Sequence, residues 1–411
     1  MKKIKNILFS ILALSLACFT ACEMTFDSVN SHSFEESSDS SLHSTVIESE
    51  GTSAKDSLDG GEETSIGGIT SEESFEDSVS SDEGRFEDSA ETSEESSSEE
   101  KEEPTIASLS IHFMQLGNKT SGDCTLIKTG DTEVLIDAGS TSGSADTIVP
   151  YIQKYCTDGV LEYVIATHGD QDHIASFVGD AGIFASFDCG VIIDFTQTTK
   201  TTQVYKNYVS ARDAEVAAGA KHYTALECWK NENGAQRNYT LGEGVTMNIL
   251  YQKYYETKTS TENNYSVCTL FTQGEKNYLF TGDLEESGEK SLVASNDLPE
   301  CALYKAGHHG SNTSSTAELL AEIKPKIVVA SCCCGDKYDF PHQEFIDNIS
   351  IYTDRLYIPS MVSGNGFKLL NGDIVVSSDG KNVSVNCSNN NVLFKDTEWF
   401  KTNRKTPDAW K

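Results

Sequence analysis

The chain has 411 residues, 64 acidic and 31 basic, for a formal net charge of −33. Hydrophobic residues make up 37%, below the ~45–50% of ordinary globular chains. That balance excludes one uniform globule of this length. It also argues against a nucleic-acid surface held by general basic charge.

The imbalance is concentrated at the N-terminus. Lys2, Lys3 and Lys5 precede an apolar run from Ile7 to Ala17, too short for the ~20 residues a membrane span needs. Small residues then lead to a cysteine in Phe19-Thr20-Ala21-Cys22. Residues 1–22 are therefore read as a bacterial lipoprotein signal with Cys22 as the lipidated residue. Cys18 is the rival position, and plain secretion the alternative. Residues 23–104 carry 26 acidic and 3 basic residues among Ser, Thr and Gly. Such a segment buries too little surface to offset its chain entropy and is predicted to be a disordered acidic tether. Residues 105–411 then carry −13 and are read as one domain of ordinary composition, large enough for a sizeable core.

Within that part, alternating residues predict a strand over Ile106–Phe113, then a hairpin of Cys124–Lys128 and Glu133–Ile136 around Gly130-Asp131. Helical spacing follows over Ala145–Tyr155, a buried strand over Val160–Ala166, helix and loop over Phe177–Phe187, and a strand over Val191–Phe195. A helix over Val204–Ala218 stops at Gly219. Strands are predicted at Val245–Tyr251, Val267–Thr272, Tyr278–Thr281, Ala302–Lys305 and Lys326–Ala330, with helices at Glu285–Ser295, Ser315–Ile323 and Phe345–Ser350. Four short strands between Arg355 and Asn386 close the domain, and 387–411 is set apart as a C-terminal extension. Two similar halves of mixed strands and helices predict an α/β fold, an αββα sandwich of two sheets between helices. The ten cysteines of this part, including Cys332-Cys333-Cys334, contain no CxxC pair and are read as packing thiols, with soft-metal binding by that run as the alternative.

Three strand ends carry chemistry. Ala166-Thr167-His168-Gly169-Asp170-Gln171-Asp172-His173 places four potential metal ligands within six residues, directly after an apolar strand. Leu279-Phe280-Thr281-Gly282-Asp283 presents one carboxylate after a glycine turn, and Tyr304-Lys305-Ala306-Gly307-His308-His309-Gly310-Ser311 presents two imidazoles. A carboxylate can bridge two cations, and adjacent histidines diverge, so one can bind metal while the other faces substrate. His112 alternates within a strand and is read as structural.

With the lead-ins Gly122-Asp123 and Leu135-Ile136-Asp137-Ala138-Gly139, this set resembles the metallo-β-lactamase fold superfamily. It is most similar to the hydrolase domain of bacterial competence (DNA-uptake) channel proteins and their free-standing relatives. Those carry His-x-Asp-x-Asp-His in place of the commoner His-x-His-x-Asp-His, then Asn-Asn-x-Ser, here Asn263-Asn264-Tyr265-Ser266. The resemblance implies His168 and Asp170 on a first metal, and Asp172, His173 and His309 on a second. It implies Asp283 bridging both, and His308 facing substrate. Asp172, His308 and Asp283 are the catalytic candidates, and Asn264, Ser266 and Ser311 the substrate-binding ones. The histidine that completes the first site in the wider superfamily has no counterpart in a motif here. His222 is read as a surface residue, Asn264 or Ser266 stands near that position, and His342 in Phe340-Pro341-His342 only partly replaces a late His-Pro.

Two divalent ions, Zn²⁺ or Mn²⁺, and a metal-bridging hydroxide are what this ligand set implies, with Asp170 tilting preference towards Mn²⁺. The expected protein is an exported, lipid-anchored metal-dependent hydrolase on the extracellular face of a bacterial membrane, with no stable protein partner. A phosphodiester (nucleotide, nucleic acid or cell-surface polymer) is the first substrate class. Lys200, Lys206 and Lys221 are scattered candidates for a basic groove. The alternatives are a β-lactam, ester or lactone hydrolase, or a non-catalytic surface-binding protein on the same fold.

Overall fold

A computed structural model describes residues 106–411; the expected export signal, Cys22 and the tether 23–104 lie outside the described residues. Eighteen strands follow in chain order: β1 (Leu109–Phe113), β2 (Thr125–Thr129), β3 (Thr132–Ile136), β4 (Val160–Ala166), β5 (Asp188–Asp194), β6 (Lys221–Thr224), β7 (Asn238–Gly242), β8 (Val245–Leu250) and β9 (Cys268–Gln273). Then come β10 (Lys276–Phe280), β11 (Leu303–Lys305), β12 (Val328–Val329), β13 (Cys333–Cys334), β14 (Leu356–Tyr357), β15 (Ser360–Ser363), β16 (Gly366–Leu369), β17 (Ile374–Ser378) and β18 (Val383–Cys387). They form an eight-stranded sheet ordered β18-β17-β1-β2-β3-β4-β5-β6 and a seven-stranded sheet ordered β14-β12-β11-β10-β9-β8-β7. A three-stranded sheet, β13-β15-β16, completes the set.

Strand periodicity explains the layering. Side chains alternate between faces of a strand. In the seven-stranded sheet, Met247, Phe271, Tyr278, Phe280 and Leu303 join the core shared with Ile111, Leu135 and Val164 of the other sheet. Their neighbours Leu270, Leu279 and Tyr304 point the other way, into a second core with Leu319, Ile323, Phe345 and Ile349 of the covering helices. Phe113 of β1 stacks on Phe280 of β10, with ring centroids 6.1 Å apart, between the sheets. This is the αββα sandwich that the two-halved pattern predicts.

The helix Gln203–Ala218 starts where Thr202 Oγ1 accepts from Tyr205 N–H and ends at Gly219 with φ 123°, as its sequence predicts. The segment set apart as an extension is part of the domain instead. Phe394, Phe400 and Trp410 are buried in the second core, and Trp410 Nε1 donates to the Thr353 carbonyl. Its apolar residues are few and widely spaced, so no period marks them. The ten cysteines of the described residues are free, eight of them buried. Among the described residues, no helix is long and apolar enough to cross a membrane.

Candidate metal centre

The chemistry-bearing residues follow the C-terminal ends of strands from both sheets, β4 in the eight-stranded sheet and β10 and β11 in the seven-stranded one. His168 to His173 follow β4, Asp283 follows β10, and His308-His309 follow β11. β10 and β11 pair in parallel, so their ends lie side by side.

Asp137 fixes the first motif. It caps β3 with φ 59° and is fully buried. Its carboxylate accepts from Thr167 N (2.7 Å) and Thr167 Oγ1 (2.8 Å), and lies 2.7 Å from His173 Nδ1. That contact makes Nδ1 the protonated nitrogen and leaves Nε2 as a lone pair. The Gly139 lead-in has a steric reason: a Cβ there would sit 1.5 Å from the Asp172 carbonyl oxygen. The third motif is aimed by backbone strain. His308 (φ 46°, ψ 51°) and His309 (φ 55°, ψ 18°) are both left-handed, at a cost of ~1–3 kcal/mol each.

Asp283 Oδ2 lies 3.2 Å from His173 Nε2 and 3.3 Å from His309 Nε2. Neither approach has hydrogen-bond alignment: His173 Nε2, His309 Nε2 and Asp283 Oδ1 are buried without a hydrogen-bond partner. Asp172 Oδ2 stands 3.6 Å from His309 Nε2. His309 Nδ1 donates to the Ser331 carbonyl (3.0 Å). Lone pairs that converge in a buried site without donors between them fit a cation. The charges agree. Burial would lower the His309 pKa, but Asp283 and then Asp123 override it and raise it to about 10. Burial would raise the Asp283 pKa, but His173, His309 and His308 hold it well below the usual carboxylate range.

Asp123, His173, Asp283 and His309 each bring a ligand atom within 4.8 Å of the others. Asp123, read from sequence only as a lead-in, occupies the opposite side of the imidazoles from Asp283. Its Oδ1 is 3.3 Å from His309 Nδ1, and its Oδ2 is 2.7 Å from Lys305 Nζ. The Nδ1 atoms are already committed, so the metal-facing group is His173 Nε2, His309 Nε2, Asp283 and the nearby Asp172. Asp123 and Lys305 orient and balance it from behind.

A cavity of about 380 Å³ opens beside this group, lined by Asp170, Asp172, Asp283, His308 and Ser311, with Tyr338 and Phe340 as an aromatic wall. His308 Nδ1 bonds the Thr313 hydroxyl at 2.9 Å, and Nε2 lies 3.9 Å from Asp283. Burial lowers its pKa, with Asp283 opposing. Asn264 and Ser266, expected at the substrate, are buried scaffold instead. Asn264 Oδ1 accepts from Glu285 N, and Ser266 Oγ meets Asp283 N at 3.1 Å. The neighbour Asn263 lines the cavity and lies 3.4 Å from His308 Nδ1. His342 is at the cavity wall, but its Nδ1 accepts from Asn312 N and its Nε2 donates to the Tyr338 carbonyl. His222 is half-buried on β6 and bonds Asp194 at 2.8 Å. His112 bonds Tyr151 and Ser110. Lys206 and Lys221 are exposed on other elements, whereas Lys200 pairs with Asp170.

This fold and this buried acid–imidazole group define a metallo-β-lactamase domain. Residues 117–179 and 257–333 match the family model described as "Metallo-beta-lactamase superfamily". Among curated proteins, the chain is 26% identical over 236 residues to "Recombination protein 2" of Haemophilus influenzae, covering 56% of this chain and 25% of that protein. It is 25% identical over 199 residues to "ComE operon protein 3" of Bacillus subtilis, covering 48% of this chain and 23% of that protein. It is 26% identical over 258 residues to "Competence protein ComA" of Neisseria gonorrhoeae, covering 61% and 29%. The chain thus spans about a quarter of the length of these relatives. Among solved structures, the metallo-beta-lactamase fold protein YhfI from Bacillus subtilis aligns with a TM-score of 0.40 and 12% identity, over 66% of this chain and 99% of that one.

Proposed function

We propose that the chain hydrolyses phosphodiesters with divalent metal held by His173, His309 and Asp283, with Asp172 beside it, at the outer face of a bacterial membrane to which Cys22 anchors it. The observation that carries the reading is the convergence of two unpartnered Nε2 atoms on the Asp283 carboxylate beside an accessible cavity. When bound, the metal supplies Lewis acidity, polarising a substrate oxygen and making water a stronger acid.

This chain's own groups do the rest. Asp172, 31% exposed at its side chain, is placed to hold the attacking water and take its proton. His308, with Nδ1 tied to Thr313, is placed to donate a hydrogen bond from Nε2 to a phosphoryl oxygen. Tyr338, 51% exposed, and Phe340 offer a wall for a base or sugar ring. The −13 of residues 105–411 disfavours a long duplex and suits a short nucleotide or an isolated phosphodiester. Relatives named for competence and recombination agree with a nucleic-acid-derived substrate.

The test is turnover of bis-p-nitrophenyl phosphate, a chromogenic β-lactam and a p-nitrophenyl ester by the full chain with Mn²⁺ or Zn²⁺. Phosphodiester turnover that disappears in Asp283→Asn supports the proposal. Turnover confined to lactam or ester transfers the site to that chemistry. A metal-loaded chain inert on all three is a binding protein.

A further inference from the structure

The position expected for a first metal is built differently from the one at His173 and His309. His168 Nε2 is buried without a hydrogen-bond partner and stands 3.5 Å from Asp170 Oδ2. The other oxygen of Asp170 is paired with Lys200 Nζ. His222 supplies no further imidazole here, being committed to Asp194. Ser266 faces the Nδ1 side of His168, at 3.5 Å, not its Nε2 side.

Lys200 is held there by a buried device. One carboxylate, Glu262, accepts from Gly169 N (3.1 Å) in the metal loop. It also accepts from Thr198 Oγ1 (2.6 Å), Thr199 N (2.6 Å) and Thr199 Oγ1 (2.7 Å) in the lysine's own loop. The two loops are pressed together so closely that a Cβ on Gly169 would lie 2.7 Å from Glu262 Oε1 and 3.1 Å from Lys200 Cγ. The Asp170 carboxylate therefore meets the Lys200 ammonium with one oxygen and the His168 ring with the other. Its charge is thus already balanced from within the chain. One imidazole, one neutralised carboxylate and a neighbouring ammonium do not fit a second divalent ion.

We propose that the Lys200 ammonium takes the place of the first cation, so that the centre holds a single divalent ion at His173, His309 and Asp283. The inference rests on the metal reading above, and its test separates the two. The full-length chain is dialysed to equilibrium against Mn²⁺ or Zn²⁺ and its metal content measured, with the Asp283→Asn chain as background for weak binding by the acidic N-terminal segment. For Mn²⁺, the paramagnetic resonance spectrum is recorded as well.

The expected result is one ion per chain above background, with the spectrum of an isolated Mn²⁺ ion. Lys200→Met frees Asp170 and raises the content to about two, with a spin-coupled spectrum. Lys200→Arg keeps the cation and stays at one. Lys200→Gln carries the same expectation as Lys200→Met if that variant folds poorly by circular dichroism. Two ions in the unaltered chain overturn the proposal, as does a content of one in both neutral variants. No ion in the unaltered chain instead overturns the metal reading itself.

Discussion

Replacing Asp137 with asparagine changes one atom behind the metal group and little else. Volume is kept, and asparagine tolerates the φ of 59° at this position. The carboxylate now meets three donors: Thr167 N, Thr167 Oγ1 and His173 Nδ1. The amide oxygen can keep Thr167 N, and the threonine hydroxyl can rotate to accept from the new NH₂. The His173 Nδ1–H then faces another donor, and one charge-assisted bond is lost in a fully buried site, at ~1.5–3 kcal/mol. With Nδ1 unsupported, the imidazole loses its fixed tautomer, and metal affinity falls by ~10–100-fold. Urea unfolding in excess chelator reads the first quantity, and competition with a chromogenic chelator reads the second. Unchanged metal affinity in a folded Asp137→Asn chain would refute the assignment of Nε2 as the metal-facing atom.

Gly139→Ala should shift the Asp172–His173 loop, because a Cβ would lie 1.5 Å from the Asp172 carbonyl oxygen. A drop in thermal midpoint together with weaker metal binding is expected, and a variant matching the parent in both rejects the steric argument. Asp283→Asn should leave the apo fold intact by circular dichroism while lowering metal affinity and turnover at least ~100-fold. Glu289 gives a pH test away from the metal. Its side chain is buried, and burial raises its pKa to about 7, against backbone N–H groups of Thr316 and Ser315 that lower it. A folded pKa above the unfolded one means the folded chain binds more protons between them. Stability from this group is therefore complete below about pH 4.5 and is lost as pH rises through 7. The unfolding free energy of the parent relative to Glu289→Gln should fall by about 3 kcal/mol from pH 4.5 to 8. A flat difference contradicts it.

Much of the centre was legible because strand ends announce themselves. An apolar run that stops at a polar cluster places His168 to His173, Asp283 and His308-His309 on neighbouring loops without coordinates. What stayed hidden depends on contacts between distant residues with weak local signals. Asp123 reaches His309 from behind across the sheet, and Lys200 reaches Asp170 through Glu262, 62 residues further on. Asn263 and Asn264 sit in one tight helical turn, Glu262–Tyr265, where successive side chains diverge. Residue type alone does not say which faces the cavity. The strands β6 and β7 leave little trace in the sequence because both are sheet edges. Lys221, His222, Tyr223 and Thr224 carry no apolar alternation, and β7 buries only Tyr239 and Leu241. The C-terminal helix Glu398–Asn403 is a single short element whose one buried residue, Phe400, leaves no period.

Anomalous scattering from crystals of the Zn²⁺-loaded protein tests the central claim most directly. A peak within ligand distance of His173 Nε2, His309 Nε2 and the Asp283 carboxylate is the predicted result. A peak on the Nδ1 side next to Asp123, or none at either face at full zinc loading, would contradict it.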